Sequence, residues 1–488
     1  MITRIKINGF KSLLNVDLHL GPFTCIAGAN AVGKSNFFDA LTFLAHLCDK
    51  SLLDASTSIR SEEKGQKNSN FKNIFFKNGS EYIDLMTFEI DMLVSKEAED
   101  DLGQIANASV TSLKYTLHLK LNADDKDNEP IEIVKEELKP INKADTIKSI
   151  FFDKKKEWIT SILTNKKASG TPFISTGEGK IKLHQDGSRG RASDNTAKKM
   201  PRTLLSSVTA ESPTAFLARQ EMRNWMMLQF EPTALRQSNT TYEIKNAEIK
   251  ANGENLAATL YRLCSEKGED KIYQTLTNKL KELVENVNYI SVDKDDKRDL
   301  LTLQVNFKDG LTLPAQSLSD GTLRFLALAI IEEDSTGSGL ICLEEPENGI
   351  NPRKIDEMIM LLENMVTDTD FAVDESNPLR QVIINTHSPT VVAVVQEDSL
   401  YLAKETETYL PLFNKKVKHT SFTALDGTWK TKKELVPSTN LGEINSYLNK
   451  TTLEGTSIQN NSVQKSSEKT KKTVGENVAE QMKLLLKW

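Results

Sequence analysis

Three carboxylates stand within four positions directly after a short apolar run. The run "LICL" is followed by Glu344, Glu345 and Glu347. Carboxylates this close repel one another, and a simple turn would carry Asn, Gly or Ser here instead. Four apolar residues without polar alternation favour a strand buried on both faces over an exposed strand end with scattered charge. A buried strand that ends in acids suits a site that holds Mg²⁺ and activates water. We therefore expect Glu344 in the outer shell of Mg²⁺ and Glu345 beside the attacking water. Pro346 then ends the strand, and we expect Glu347, Asn348 and Gly349 to begin a turn that faces a second subunit rather than the metal.

A phosphate-binding motif lies near the start of the chain. The segment "GANAVGKSN" fits the pattern G-x-x-x-x-G-K-[ST], and it stands between an apolar run, "FTCIAG", and a helical pattern, "KSNFFDALTFLAHLC". In such a loop the backbone N–H groups surround a phosphate, the lysine reaches the β and γ phosphates, and the hydroxyl holds Mg²⁺. The strand and helix around the motif favour this interpretation over an ordinary glycine turn. The residues predicted to bind ATP here are Gly28, Asn30, Gly33, Lys34, Ser35 and Asn36, with Ser35 also predicted to bind Mg²⁺.

The elements that would position these residues follow from the hydrophobic pattern. The first 50 residues predict three strands, a loop and a helix, and residues 71–95 and 111–138 predict further strands. Residues 165–202 are poor in apolar side chains and predict a mobile loop. Apolar residues three and four apart then predict a helical lobe, after which strands and helices alternate again.

These patterns divide the chain into six predicted segments. They are an N-terminal ATPase lobe with the phosphate loop (1–95), strands with a mobile basic loop (96–211), a helical lobe (212–290), a C-terminal ATPase lobe (291–400), an extension (401–454), and a polar linker with a short terminal helix (455–488). The apolar stripe of that terminal helix leads us to expect that it docks on a partner or on a neighbouring subunit.

Composition limits the class of protein. The 488 residues carry a net charge of −6, so any contact with nucleic acid must be local. Between residues 165 and 202 nine Lys or Arg face three acids, which suits phosphate contacts but equally a solvated loop. The four cysteines form no CxxC pair, and neither a signal core nor an apolar run of membrane-spanning length is visible. We therefore expect a cytoplasmic protein without membrane contact.

Two further stretches carry a resemblance to a known family. "SLSDGTLRFLALA" is similar to the signature motif of ATP-binding-cassette (ABC) ATPases, in the variant of the branch that includes RecF, SMC and overcoming-lysogenization ATPases. "IINTHSP" resembles the switch-histidine strand of that branch, with His387 as the switch. "INGFKS" and "NGENLAATLYRL" are also similar to this branch, which is often described as AAA15/AAA21-type ATPases.

The resemblance implies a fold and an assembly. The fold would be an α/β ABC-type ATPase head, SMC/RecF-like, with an inserted helical lobe and no long coiled coil. Two heads would form a homodimer with ATP sandwiched between them, and this dimer would build a higher homo-oligomer. Ser319, Asp320 and Gly321 would then contact ATP held by the other chain, which agrees with the suitability of a helix N-terminus for an anion. His387 would contact the γ phosphate and act with Glu345 in catalysis. Taken alone this residue fits a core histidine better, but its place in "THSP" at the end of an apolar strand favours the phosphate contact.

Two departures from the family pattern stand out. Glu344 stands where many ABC ATPases have Asp, and Asn351 stands where this branch often has His. The fine geometry of the metal site and of the loop that would face another subunit is therefore open, as is the residue that acts as the Q-loop.

Several functions compete on this basis. The first is a nucleotide-controlled switch or scaffold for a separate effector, such as an HNH or Toprim nuclease, resembling the ATPase subunits of the Septu and PARIS anti-phage systems. The second is a self-contained RecF-like repair ATPase that binds DNA, so nucleic acid stays an open partner. No Toprim-like metal constellation follows His387, which speaks against an intrinsic nuclease. A transporter ATPase fits the SMC-like N-terminus poorly.

Overall fold

The computed structural model describes residues 1–60, 70–122, 129–164, 170–186, 193–335, 339–440, 442–444 and 473–476. Contacts between Cα atoms divide the chain into two compact units. The first unit comprises Met1–Trp225, Thr367–Gln381 and Glu397–Ser446, and the second comprises Met226–Val366, Val382–Gln396 and Tyr447–Trp488.

The strands of the described residues occur throughout both units. In chain order they are β1 (Ile2–Asn8), β2 (Val16–His19), β3 (Phe23–Ala27), β4 (Lys77–Asn78), β5 (Glu81–Tyr82), β6 (Leu85–Leu93), β7 (Glu97–Glu99), β8 (Ile105–Asn107), β9 (Ser112–Leu121), β10 (Ile131–Pro140), β11 (Ile174–Gly177), β12 (Lys180–Leu183), β13 (Ser193–Thr196), β14 (Met226–Leu228), β15 (Asn239–Thr240), β16 (Val287–Asp295), β17 (Leu300–Phe307), β18 (Thr312–Pro314), β19 (Gly339–Glu344), β20 (Arg380–Thr386), β21 (Leu400–Leu410), β22 (Lys415–Leu425) and β23 (Ser438–Thr439).

The helices are short, and the longest described one has 15 residues. The α-helices are α1 (Lys34–His46), α2 (Leu52–Thr57), α3 (Lys143–Ser149), α4 (Lys156–Ile162), α5 (Pro213–Arg223), α6 (Pro232–Leu235), α7 (Leu256–Lys267), α8 (Glu269–Leu283), α9 (Asp320–Glu333), α10 (Ile355–Asn364), α11 (Pro389–Val394) and α12 (Trp429–Lys432). Single 3₁₀ turns occupy Phe71–Ile74, Ala197–Lys199, Leu205–Ser207, Thr241–Asn246, Ala315–Ser317, Pro352–Lys354, Glu397–Ser399 and Pro411–Phe413. Within the described ranges, none of the helices has the length and apolar character needed to cross a membrane.

An antiparallel sheet of eight strands dominates the first unit. Its order is β13-β12-β11-β10-β9-β6-β1-β2, and every neighbouring pair is antiparallel. From Arg4 onward "RIKIN" alternates and buries Ile5 and Ile7, as period-two patterning requires, whereas the buried Ile2 precedes a register shift between Ile2 and Arg4. One hydrophobic core cluster of this unit joins Leu93, the last residue of β6, to Trp158 of α4.

A second group of strands in the first unit supports the phosphate loop. β3 pairs in parallel with β21, with Cys25 opposite Leu400, and β21 continues into an antiparallel pairing with β22. β23 pairs in parallel with β22. All five residues of β3 are buried, so the hydrophobic core holds the start of the loop that follows this strand.

The second unit holds the acidic strand. β14 pairs in parallel with β19, and β20 is the next neighbour of β19. β19 is buried through Leu343, and every residue of β20 is buried, which confirms the prediction of strands without polar alternation. A separate sheet of β15, β17, β16 and β18 packs on α7 and α8, where Thr277 Oγ1 accepts a hydrogen bond from the N–H of Ile290 at 3.0 Å.

The mixed α/β fold and the order of the first 50 residues are confirmed, whereas two local predictions are wrong. The described part of the predicted mobile loop at 165–202 contains β11, β12 and β13, because its few apolar residues, such as Ile174 and Ile181, pair at the edge of the large sheet and become buried. The predicted helix "PTAFLARQEMRNWMMLQF" ends at Arg223, because Met226–Leu228 pairs with β19 instead. The linker and terminal helix at 455–488 lie outside the described residues except for 473–476.

Candidate active site

The glycine-rich loop joins a buried strand to the start of a helix. α1 begins at Lys34, directly after Gly33, whose φ of 93° lies in the left-handed region. A Cβ on Gly28 would lie 2.6 Å from the carbonyl oxygen of Ala403, and a Cβ on Gly33 would lie 2.0 Å from Thr420 Oγ1. Both distances are too short for any side chain, so this loop conformation requires glycine at both motif positions.

The motif lysine is folded against the loop. Lys34 is 7% exposed, and its Nζ donates hydrogen bonds to the carbonyl oxygens of Gly28 at 2.7 Å and Ala29 at 2.8 Å. The ammonium is therefore held beside the backbone that the motif assigns to phosphate, at the positive end of α1.

The other predicted residues of the loop differ in their surroundings. Asn30 is exposed and Ser35 is half-buried. Asn36 donates a hydrogen bond from Nδ2 to Ser12 Oγ at 2.8 Å. The Asn36 side chain thus supports the loop from within the chain, in addition to any contact with nucleotide that the motif predicts.

Two hydroxyl groups that the sequence analysis did not identify hold the loop, and we call Ser12 and Thr420 the loop clamp. Ser12 Oγ and Thr420 Oγ1 are 2.6 Å apart, and Thr420 Oγ1 donates a hydrogen bond to the carbonyl oxygen of Val32 at 2.8 Å. Thr420 is 1% exposed. Ser12 lies in the family-like stretch "INGFKS", but Thr420 lies 388 positions from Val32, and no local pattern marks it.

A carboxylate on α1 binds two cations beside the loop. Asp39 contacts Lys11 Nζ through Oδ2 and Arg60 Nε through Oδ1, each at 2.7 Å. Arg60 also donates from Nη2 to the carbonyl oxygen of Ser35 at 3.2 Å. Because one carboxylate faces two cations, the side chains around the start of α1 add net positive charge, which favours an anion there.

The three glutamates of the second unit are each hydrogen bonded to a different residue at the end of β20, and we call these six residues the glutamate ladder. The pairs are Glu344 Oε1 with Asn385 Nδ2 at 3.2 Å, Glu345 Oε1 with His387 Nδ1 at 2.7 Å, and Glu347 Oε1 with Thr386 Oγ1 at 2.5 Å. These neighbouring carboxylates would otherwise repel one another, and each is stabilised by a hydrogen-bond partner of its own. The sequence analysis identified His387 but missed Asn385 and Thr386, although both stand in the quoted "IINTHSP".

Glu345 is fixed through both its backbone and its carboxylate. Its φ of 48° lies in the left-handed region, which costs a non-glycine residue about 1–2 kcal/mol. Its N–H donates to the carbonyl oxygen of Asn385 at 2.9 Å, and its Oε2 accepts a hydrogen bond from Asn348 Nδ2 at 2.8 Å. Such an outlier persists only where neighbouring contacts hold it, and it is typical of functional sites.

His387 is not a core histidine. Its side chain is 42% exposed, and Nδ1 lies 2.7 Å from the Glu345 carboxylate, which is 33% exposed. An exposed imidazole bound to the predicted water-activating glutamate favours the switch-histidine interpretation over the structural alternative.

Glu347 points into the protein, contrary to the sequence-based expectation that it faces a second subunit. It is 9% exposed and accepts a hydrogen bond from the fully buried Thr386. Burial raises the pKa of this carboxyl above its ordinary value, while the hydrogen bond from Thr386 acts in the opposite direction. The expectation was wrong because the turn after Pro346 directs this side chain into the protein, and only Asn348 and Gly349 are exposed there.

The signature stretch begins a helix, as predicted. Ser319 is the N-cap residue of α9, and its Oγ accepts a hydrogen bond from the N–H of Thr322 at 3.3 Å. Asp320 contacts Arg236 Nη2 at 2.5 Å, and the same nitrogen donates to the carbonyl oxygen of Leu318 at 2.9 Å. The carboxylate of Asp320 is therefore neutralised within the chain, which reduces its repulsion of an approaching phosphate.

The signature glycine packs against the turn that follows the glutamates. A Cβ on Gly321 would lie 2.2 Å from the carbonyl oxygen of Gly349, whose own φ is 81°. The start of α9 and this turn are thus in direct backbone contact, and any side chain at position 321 would separate them.

The residues predicted to hold Mg²⁺ have suitable chemistry. Ser35 and Glu344 carry oxygen donors, and each is half-buried, with the Glu344 carboxylate already accepting a hydrogen bond from Asn385. Among the residues that the structure describes, no group of three or more His, Cys, Asp or Glu forms a metal cage. Mg²⁺ usually keeps several waters and takes only one or two protein ligands beside phosphate oxygens, so Ser35 and Glu344 each fit that share.

Three solved structures that are similar to this chain are SMC heads. No curated protein sequence matches the chain. Among solved structures, a Smc head bound to the C-terminal winged-helix domain of ScpA is similar with a TM-score of 0.44 and 11% identity, covering 88% of this chain and 99% of that one. A Pyrococcus furiosus Smc head with an extended coiled coil, bound to the C-terminal domain of ScpA, gives 0.41 and 13%, covering 89% and 99%. The SMC head of Thermotoga maritima gives 0.35 and 11%, covering 86% and 98%.

The family assignment rests on a sequence model instead, because all three TM-scores lie below 0.5. The model described as "AAA ATPase domain" matches residues 1–392, which include the phosphate loop, the signature stretch and the glutamate ladder. The chain belongs to the AAA_15 family of AAA ATPase domains.

Proposed function

We propose that this chain binds and hydrolyses ATP with Mg²⁺, and that it serves as a nucleotide-controlled switch or scaffold for a separate effector in a bacterial anti-phage defence complex. The observation that carries the ATPase part is the position of Lys34, whose ammonium is held against a loop that only glycines can form. Membership of an ATPase domain family supports the same conclusion.

The phosphate loop supplies binding. The N–H groups of the loop and the N-terminus of α1 attract the phosphates, and Lys34 neutralises charge on the β and γ phosphates. The Ser35 hydroxyl would hold Mg²⁺ directly and Glu344 would hold it through water, and the metal when bound supplies further neutralisation of the phosphate charge.

Two members of the glutamate ladder, Glu345 and His387, supply the chemistry of hydrolysis. Glu345 orients and polarises the water that attacks the γ phosphate. His387 Nδ1 is committed to Glu345, so a contact of this imidazole with the γ phosphate uses Nε2. One side chain then holds the activating carboxylate and touches the phosphate that reacts.

A second copy of the chain completes the site in this proposal. Ser319 and Gly321 lie at the N-terminus of α9, and an N-terminus of this kind binds an anion through its N–H groups. We place this surface on the γ phosphate held by the partner copy, so that ATP joins two heads and its hydrolysis releases them.

The effector part rests on the resemblance to anti-phage ATPase subunits. An ATP-dependent pairing of heads changes the surface that an effector meets, and an HNH or Toprim nuclease would be held or released accordingly. Co-expression with the product of the neighbouring gene tests it. A nuclease encoded there should purify together with the chain, and its activity should differ between ATP and ADP. Steeply salt-dependent DNA binding by the chain alone, without any effector, would favour the repair ATPase instead.

The ATPase part is tested by paired glutamine variants. Glu345→Gln should bind ATP with unchanged affinity and hydrolyse it roughly 100-fold more slowly or worse, because the amide does not polarise water. Glu344→Gln should instead raise the Mg²⁺ concentration needed for half-maximal activity. Hydrolysis at the normal rate by Glu345→Gln, measured as phosphate release, would remove Glu345 from the proposed role.

A further inference from the structure

The proposed function gives roles to Glu344 and Glu345 but none to Glu347. This third carboxyl is 9% exposed, and its Oε1 lies 2.5 Å from the Thr386 hydroxyl. Its Oε2 is buried and has no hydrogen-bond partner within the described part of the chain. An unsatisfied buried polar atom costs about 1–3 kcal/mol of folding free energy, so an apolar residue would serve packing better at this position.

The direction of the hydrogen bond is fixed by its neighbours. The N–H of Ser388 donates to Thr386 Oγ1 at 2.9 Å. The single hydroxyl proton of Thr386 is therefore available for Glu347, and the hydroxyl is held from two sides. Thr386 itself is fully buried, so its hydrogen bonds are not exchanged with solvent.

Thr386 stands immediately before His387 at the end of β20. Thr386 is the last residue of β20, and His387 is the first residue beyond it, so the two side chains are carried by adjacent residues. The bond to Glu347 thus fixes the residue directly before the one that contacts Glu345. A shift of Thr386 would move the imidazole away from the carboxylate that it holds.

We propose that Glu347 is a positioning residue for hydrolysis: through Thr386 it fixes the end of β20, so that His387 keeps its contact with Glu345. The inference rests on the proposed function, because it requires that Glu345 and His387 act on ATP. Loss of the bond between Glu347 and Thr386 should lower the rate of hydrolysis without changing the binding of ATP, since neither residue belongs to the phosphate loop.

The chain offers matched substitutions for the test. Thr386→Val removes the hydroxyl at nearly constant shape, whereas Thr386→Ser keeps it. Glu347→Leu removes the acceptor, whereas Glu347→Gln keeps an oxygen that accepts from Thr386.

The measurements are the ATP dissociation constant by titration and kcat and KM by phosphate release. Thr386→Val and Glu347→Leu should each lower kcat roughly 10-fold or more, because small misplacements of catalytic groups have effects of this size. The dissociation constant should stay within about twofold, and Thr386→Ser and Glu347→Gln should keep most of the wild-type kcat.

A double substitution separates positioning from a general structural role. If Thr386 acts through His387, Thr386→Val should lower kcat no further in a His387→Ala background. A full additional loss in that background, equal losses in ATP affinity and kcat, or the same loss in Thr386→Ser as in Thr386→Val would each overturn the proposal. If Thr386→Val does not fold, Glu347→Leu and Glu347→Gln decide by the same criteria. Failure of the proposed function is distinguishable, because the wild-type chain would then neither bind nor hydrolyse ATP.

Discussion

Thr420→Val should weaken ATP binding although Thr420 lies far from the phosphate loop in sequence. The substitution removes Oγ1, which bonds to the carbonyl oxygen of Val32 at 2.8 Å and to Ser12 Oγ at 2.6 Å. Each hydrogen bond contributes about 0.5–1.5 kcal/mol, so the ordered loop loses about 1–3 kcal/mol relative to a disordered one. If ATP binding must restore that order, its affinity falls roughly 5- to 150-fold.

Titration of each folded variant with ATP, together with a thermal melt, provides the assay. Thr420→Ser is the matched control, because it keeps the hydroxyl and should keep the affinity. Ser12→Ala removes the same shared bond, so its effect and that of Thr420→Val should add only in part in the double variant, since each also loses one bond of its own. An affinity for Thr420→Val within twofold of wild type, in a chain that is still folded, would refute the loop clamp.

Three further predictions concern other parts of the chain. Lys34→Ala should abolish measurable ATP binding while the chain stays folded, and retention of normal affinity in a titration would contradict the assignment of the phosphate loop. Ser319→Arg should keep ATP binding but block ATP-dependent pairing of heads. Mixing this variant with Lys34→Ala should restore part of the hydrolysis, because each mixed dimer keeps one intact site. Total loss of hydrolysis at every mixing ratio would count against independent shared sites. Lys430 of α12 is buried, and burial lowers the pKa of its ammonium group from 10.5 to about 7. Between these two pH values the side chain is protonated in the unfolded chain and neutral in the folded one, so the free energy of unfolding should rise as pH rises from about 7 to 10.5. Lys430→Met should remove this dependence and raise the free energy of unfolding by on the order of 4 kcal/mol below pH 7, with little gain near pH 10, as denaturation at both pH values would show.

Local patterns predicted the parts of the site that lie on one segment of chain. The strand, loop and helix around Lys34 follow from an apolar run, two glycines and helical spacing, and each of these acts over a few residues. The acidic strand end was predicted for the same reason. Its burial reflects the apolar run itself, which the sequence displays directly.

The remainder depends on contacts between distant segments. Thr420 supports the loop from β22, and Thr386 reaches back to Glu347 from β20, so neither role is visible in a window of neighbouring residues. The segment at 165–202 was misjudged for a related reason. Its low apolar content suits a loop, but the edge of an existing sheet supplies the backbone partners that its own composition does not predict.

The backbone contact between Gly321 and Gly349 has a mechanical consequence. A Cβ atom at position 321 would lie 2.2 Å from the Gly349 carbonyl oxygen. The start of α9 and the turn at Gly349 are therefore in such close contact that not even one more carbon atom fits between them. Asn348, the residue before Gly349, donates a hydrogen bond to the Glu345 carboxylate. A displacement of the start of α9 would therefore move Gly349 and Asn348, and through them the carboxylate that would activate water. A ligand that binds at the start of α9 would therefore also influence the position of the Glu345 carboxylate, through Gly349 and Asn348.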